Sequence, residues 1–362
     1  MAPKKRLGAA QPDTPSIDYR LADPAAVLQR VDANLATLED LLERAGRAGC
    51  DIVALPEDTL GLLHWEAANK DRLEAVLRPA VERMLKCLGQ TAAAHSMYLV
   101  CCSDAFHDDG QLYNTSFLLG REGQKLGHYR KVNMTLSEAG LRQRGDQFPV
   151  FATSDLGTLG LLICYDMVFP EPARCLALGG ADIVFHSTLG GAAIGDGDIS
   201  RAAFRTRAAE NLVYLVVAWR GSGSMIIAPT GDILAAGGDG DLVIADIDPF
   251  GGRQGGDAFN TQEDMRARLF RERKPSAYSI LTDPHPPVLD KVPESISVAE
   301  AARIADGVLT VGAERFREAE ELAHQGQKAA ATSAFQALRA EYPTSWIDRV
   351  AQERLAALET AL

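Results

Sequence analysis

The sequence predicts an α/β protein whose mixed sheet carries helices on its outer face, followed by an all-helical C-terminal region. Three observations predict it. Early in the chain, short apolar runs alternate with segments of helical spacing, as in strands joined by crossover helices. Later strand-like runs follow one another more directly, and beyond about residue 296 the chain is Ala-rich with helical periodicity alone. Its 362 residues allow one large domain or two ordinary ones, with length for a sizeable core.

Taken in order, Asp23-Pro24 supplies an N-cap and a proline at the first helical position, and Val27, Leu28, Val31, Leu35, Leu38 and Leu42 then recur at helical spacing until Gly46 and Gly49. The Lys4-Lys5-Arg6 cluster ahead of it reads as a solvated tail. A strand is expected at 51–55 and a helix from about 70 to 95. Met97 to Cys102 is a near-continuous apolar run, which fits a strand covered on both faces. Further strands are expected at 112–119, 158–164, 181–186, 212–218, 224–228 and 242–247, with helices at 170–179 and 198–211. Gly251-Gly252-Arg253-Gln254-Gly255-Gly256 and Pro284-His285-Pro286-Pro287 mark an extended connector. Three helices are expected at 312–325, 327–341 and 345–361.

Chemistry first shows at Cys164. Leu161-Leu162-Ile163 ends in this thiol, and Phe169-Pro170-Glu171-Pro172-Ala173 then reads as the start of a helix. A sulfur at a strand end, close to helix N-terminal N–H groups, is expected to favour the thiolate. A free Cys after an apolar run is by itself more often an inert core residue. Two other segments change that reading. Asp51-Ile52-Val53-Ala54-Leu55 delivers Pro56-Glu57-Asp58 just past a strand end, and His128-Tyr129-Arg130-Lys131-Val132-Asn133 brings an ammonium between the two.

In this order and context, Glu57, Lys131 and Cys164 resemble the Glu-Lys-Cys triad of the nitrilase superfamily of carbon-nitrogen hydrolases. The likeness extends through Tyr113-Asn114-Thr115, Gly145-Asp146-Gln147-Phe148-Pro149-Val150-Phe151, Ala208-Ala209-Glu210-Asn211 and Ser224 to Gly231, and spans roughly residues 6 to 250. It implies a four-layer αββα sandwich in which two sheets face each other, and the Ala-rich helical region beyond about 296 is expected to follow it as a C-terminal all-helical appendix. The expected domains are a hydrolase domain over 1–290, including the connector from about 251, and the appendix over 296–362. Gly326, Ala331, Phe335 and Pro343 are spaced similarly to one tetratricopeptide repeat. One such unit cannot bury its own apolar face, so the appendix is expected to pack on the catalytic domain or on a second subunit. A module that docks a partner is the alternative.

The resemblance implies hydrolysis of a small linear amide through a cysteinyl thioester, releasing ammonia and a carboxylate. Cys164 is the expected nucleophile and Glu57 the proton carrier. Lys131, with the N–H of Tyr165, is expected to hold the oxyanion, and as a neighbouring cation to lower the thiol's pKa. Glu138, seven residues on, matches the family's second glutamate and is expected to orient Lys131 or the substrate. Tyr165, Phe169, His186 and Thr188, with Trp219 a further candidate, adjoin the triad segments or follow strand ends and are expected to line an acyl pocket. The Gly-rich stretch 190–197 is expected to adapt over the substrate. Many relatives acting on carboxylate-bearing amides have an Arg where this chain has Val168, so neutral or apolar acyl groups are expected, unless Arg142 or Arg144 supplies the cation. N-carbamoyl (ureido) amidohydrolysis and nitrile hydrolysis are the chemical alternatives. A scaffold with a vestigial triad, working through its helical tail, is the alternative of another class.

Composition bears on the remaining classes. A net charge of −12 and the lack of a concentrated basic surface argue against a nucleic-acid partner. No apolar stretch approaches the roughly 20 residues needed to cross a bilayer, and six cysteines without disulfide or zinc spacing fit a reducing compartment. Cytoplasmic location, no cofactor and no metal are therefore expected. Cys101 and Cys102 are expected in a strand, and Cys175 packed within a helix. Arg207 and Glu210 are expected to pair across one helical turn. The resemblance implies a homodimer or higher homo-oligomer.

Overall fold

A computed structural model describes residues 4–189, 197–221, 223–238, 240–250, 264–343 and 345–360. In chain order its strands are β1 (Lys5–Ala10), β2 (Ile52–Ala54), β3 (Tyr98–Phe106), β4 (Leu112–Leu119), β5 (Lys125–Arg130), β6 (Val150–Ala152), β7 (Thr158–Ile163), β8 (Ile183–Thr188), β9 (Tyr214–Trp219), β10 (Met225–Ile227), β11 (Ile233–Ala236) and β12 (Leu242–Ile247). Its helices are α1 (Pro24–Arg47), α2 (Leu63–Ala68), α3 (Leu73–Ala94), α4 (Glu171–Leu178), α5 (Gly197–Asn211), α6 (Met265–Arg271), α7 (Val298–Gly307), α8 (Ala313–His324), α9 (Lys328–Glu341) and α10 (Trp346–Thr360).

The described strands form two six-stranded sheets, ordered β12-β1-β2-β3-β4-β5 and β11-β10-β9-β8-β7-β6. Each has a parallel centre, β1-β2-β3 in one and β7-β8-β9 in the other, flanked by antiparallel strands. Strands buried on both faces read as continuous apolar runs. One face of each sheet meets the other sheet through residues such as Leu7, Ile52, Val100, Leu161, Phe185 and Val216. The opposite face of the first sheet packs on α1 and α3, and that of the second on α4 and α5. The result is the four-layer αββα arrangement.

Asp23 caps α1 as the sequence predicts, accepting from the N–H groups of Ala25 and Ala26. One expectation fails at the N-terminus. Residues 5–10 form β1, inserted between β12 and β2, and are not a solvated tail. Leu7, Ala9 and Ala10 are buried. The cationic ends nevertheless find partners: Lys5 Nζ reaches Asp155 at 2.5 Å, and Arg6 Nε reaches Asp246 at 2.7 Å. Cys101 and Cys102 lie buried in β3, whereas Cys175 is on the exposed face of α4, not packed. Arg207 donates to Glu210 at 3.2 Å within α5. The glycine-rich run 251–256 lies outside the described residues, and the proline-rich connector consists of exposed 3-10 turns, Pro275–Ala277, Ser279–Thr282 and Pro287–Lys291.

The C-terminal helices have a small core of their own, with Phe316, Ala319, Ala331, Phe335, Leu338 and Ile347 buried. They also lie against the sandwich. Glu314 accepts from Tyr19 Oη at 3.0 Å and pairs with Arg20 at 3.0 Å, and Asp306 pairs with Lys70 at 2.6 Å. No helix among the described residues is long and apolar enough to cross a membrane.

Candidate active site

Glu57, Lys131 and Cys164 each follow the end of a strand, and the facing of the two sheets brings them together. Glu57 comes three residues after β2. Its loop is held by Leu55, whose N–H donates to Val100 O at 2.8 Å and whose carbonyl accepts from Ser187 Oγ at 2.8 Å across the sandwich. Lys131 comes directly after β5, and its N–H donates to Asn114 O at 2.9 Å, extending the pairing with β4 by one residue. Cys164 comes directly after β7 and opens a 3-10 turn, Cys164–Val168. Its φ of +41° lies in the left-handed region, which costs a non-glycine residue energy that the surrounding contacts must offset.

Two carboxylates share one ammonium. Lys131 is 1% exposed, and its Nζ donates to Glu138 Oε1 at 2.7 Å and to Glu57 Oε1 at 3.3 Å. Glu57 Oε1 also accepts from Asn114 Nδ2 at 2.8 Å, and Oε2 from the N–H of Leu189 at 3.3 Å. Glu138 is itself fixed, since its Oε2 accepts from the N–H and Oγ1 of Thr135 at 2.8 and 3.0 Å. Burial works to lower the pKa of Lys131, but Glu57 and Glu138 outweigh it and hold the ammonium well above the usual lysine range. Burial likewise works to raise Glu138, and Lys131 with Arg142 overrides it.

The thiol departs from expectation. Burial, with Glu57 adding to it, pushes Cys164 up to about 12, against the opposing pull of Lys131 and a hydrogen bond with Thr188. The resting side chain at neutral pH is therefore a thiol. Desolvation exceeds the help of one cation when that cation is already neutralised by two carboxylates.

Sequence reading did not single out the residues that brace these groups. Asp166, fully buried two residues after Cys164, accepts from Tyr129 Oη at 2.7 Å, Ile163 N at 3.0 Å, Asn133 N at 2.9 Å and Asn133 Nδ2 at 3.1 Å. It ties the Cys164 turn to the segment carrying Lys131. Asp58 accepts from the N–H groups of Leu62 and Leu63 and pairs with Arg220 at 3.1 Å, which shapes the loop beyond Glu57. Asn114 occupies a buried strand, where a polar side chain is itself a signal that it has a partner.

Glu57, Lys131, Glu138, Cys164 and Tyr165 line a cavity of about 790 Å³. The other proposed pocket residues are placed differently. Thr188 touches the thiol, as described. Phe169 stacks edge-on against Tyr165 at 5.5 Å and is not part of the lining. His186 is buried behind the site, edge-on to Phe204 at 5.4 Å, and burial with Lys131 lowers its pKa to about 3. Trp219 packs against Phe204 as well. Residues 190–196 of the glycine-rich stretch lie outside the described residues. Arg142 faces the cavity floor but is committed: its Nη2 donates to Glu66 at 2.9 Å and its Nε to Asp104 at 2.6 Å, all three groups being buried. Arg144 is exposed and outside the lining. Ile304, Val308, Leu309 and Trp346 of the C-terminal region complete the wall, which the sequence did not anticipate.

Known proteins resemble this chain in sequence and in fold. The sequence profile of the family described as carbon-nitrogen hydrolase matches residues 8–254. A deaminated glutathione amidase of Synechocystis is 33% identical over 242 residues, covering 60% of this chain and 86% of that protein. An N-carbamoylputrescine amidase of Solanum tuberosum is 28% identical over 287 residues, covering 69% and 90%. Among solved structures, an amidase from Nesterenkonia sp. AN1, bearing an acetamide moiety on its active-site cysteine, superposes with a TM-score of 0.61 at 22% identity, covering 77% of this chain and 98% of that one.

Proposed function

This chain belongs to the carbon-nitrogen hydrolase family, whose members act on carbon–nitrogen bonds other than peptide bonds, and from that premise we propose that it cleaves a small linear amide through a thioester on Cys164. The observation that carries the reading is one buried ammonium, Lys131, held between Glu57 and Glu138 in the cavity that Cys164 faces.

Cys164 Sγ attacks the amide carbonyl carbon while Glu57 takes the thiol proton. A base is needed because the resting thiol is held up to about 12. The oxyanion is met by the Lys131 ammonium and the N–H of Tyr165, which lies in the first turn of a 3-10 helix where N–H groups have no partner within the helix. Glu57 returns the proton to the leaving nitrogen, the C–N bond breaks, and ammonia departs. Glu57 then takes a proton from water as its oxygen attacks the thioester. The C–S bond breaks, Glu57 gives that proton to the sulfur, and the product acid loses its own proton to solvent and leaves as a carboxylate. Glu138 keeps Lys131 in place through both half-reactions. The hydrolase unit is assigned to residues 1–290 and the helical unit to 296–362.

The test is ammonia release from a panel of amides, ureides and nitriles, with acid-quenched enzyme analysed by mass spectrometry. The expected result is turnover of amides, an acyl adduct on the peptide containing Cys164, and loss of both in Cys164→Ala. Turnover that survives Cys164→Ala would refute the mechanism, and a preference for ureides or nitriles would reassign the substrate.

A further inference from the structure

Resting on that reading of the Cys164 site, we propose that the C-terminal helices are the acyl-binding wall of the cavity and make this enzyme selective for amides with an extended, uncharged apolar acyl group. Ile304 of α7, Val308 and Leu309 of the following π-turn, and Trp346 at the start of α10 line the cavity together with Leu63 and Leu141 of the sandwich. All four lie beyond the residues that match the family. The family match therefore does not account for this wall.

Size and charge point to the same occupant. Cavities of roughly 300–1,000 Å³ hold ligands of drug size, so a volume of about 790 Å³ is far more than a two- or three-carbon amide fills. An acid group would need a cation. Among the described residues the cavity holds Lys70, Lys131 and Arg142, and each is engaged by carboxylates: Lys70 by Asp306, Lys131 by Glu57 and Glu138, and Arg142 by Glu66 and Asp104. A carboxylate at the far end of the acyl chain would enter a largely apolar space without a partner, which is unfavourable. A hydrocarbon chain gains by leaving water there.

The experiment measures kcat/KM for ammonia release from linear aliphatic amides, propionamide to decanamide, with the corresponding ω-carboxy amides alongside. In the wild type kcat/KM is expected to rise about fourfold per methylene until the cavity is filled, and the ω-carboxy amides are expected to fall behind amides of equal length. Ala305→Phe puts bulk into the cavity and is expected to lower the octanamide-to-propionamide ratio at least tenfold, mainly through KM. Leu309→Ser removes apolar wall and is expected to lower the same ratio; it serves as the second probe if Ala305→Phe melts early. An enzyme that turns over amides through Cys164 but favours the shortest ones, or whose ratio neither variant changes, would overturn this inference and leave the proposed function standing. No turnover of any amide would overturn both.

Discussion

Gly140 approaches Ala302 so closely that a Cβ on the glycine would lie 2.9 Å from the Ala302 Cβ. This contact joins the 3-10 turn that carries Glu138 to helix α7 of the C-terminal region. The positioning of the buried Lys131 and the seating of the cavity wall thus meet at one pair of small residues.

Gly140→Val is expected to displace α7 from the turn and to destabilise the protein by about 1–3 kcal/mol, the usual cost of overpacking. Thermal melting combined with ammonia release from a long-chain amide checks this. Wild-type melting together with wild-type rates would show that the contact has no role.

Lys131→Met removes the ammonium that Glu57 and Glu138 share. Turnover is expected to fall by at least about 100-fold, as when an oxyanion donor is lost. The buried Glu57 and the partly buried Glu138, left without their cation, are also expected to cost about 3–5 kcal/mol of stability. The pH dependence has a definite sign. Glu138 is held below its ordinary range in the folded protein, so its contribution is present above the unfolded carboxylate pKa and is lost as pH falls through the lower folded value. Denaturant titrations at pH 7 and pH 3 should therefore differ less for the variant than for the wild type.

Arg142→Met leaves Glu66 and Asp104 buried without their guanidinium. The expected loss is about 3–5 kcal/mol in urea denaturation. A variant of unchanged stability with altered preference for ω-carboxy amides would return Arg142 to the role of substrate cation.

Tyr129→Phe removes one of the four donors to Asp166 and is expected to cost about 1–3 kcal/mol. Asp166→Ala loosens the Cys164 turn altogether. A shift of about 1 Å at a nucleophile can cost roughly 100-fold in rate, so kcat is expected to fall by about that much in the second variant, with a smaller fall in the first. Equal kcat in both variants and the wild type would separate Asp166 from the positioning of Cys164.

Alkylation by iodoacetamide reads the thiol directly. Since Cys164 is held up to about 12, its alkylation rate is expected to rise about tenfold per pH unit from pH 7 to pH 10 without a plateau. Peptide mapping after brief exposure follows it separately from the exposed Cys175. A plateau near pH 8 would mean that the resting side chain is already a thiolate.

What the sequence determined by itself was local. The Asp23 cap, the apolar run of β7 ending at Cys164, the run of β2 leading to Glu57, and the helices of the C-terminal region are all written in spacings of a few residues, because periodicity and capping act over that range. The resemblance then grouped Glu57, Lys131, Glu138 and Cys164, but only as an ordered set. Tertiary structure decided what lies between distant segments. Lys5–Ala10 became a strand because β12, some 240 residues away, pairs with it. Arg142 was committed to Glu66 and Asp104, the thiol was raised rather than lowered, and Ile304, Val308, Leu309 and Trp346 became part of the Cys164 cavity. Each of these depends on burial and on charges brought together by the packing of the two sheets and the C-terminal helices, quantities that no stretch of neighbouring residues encodes.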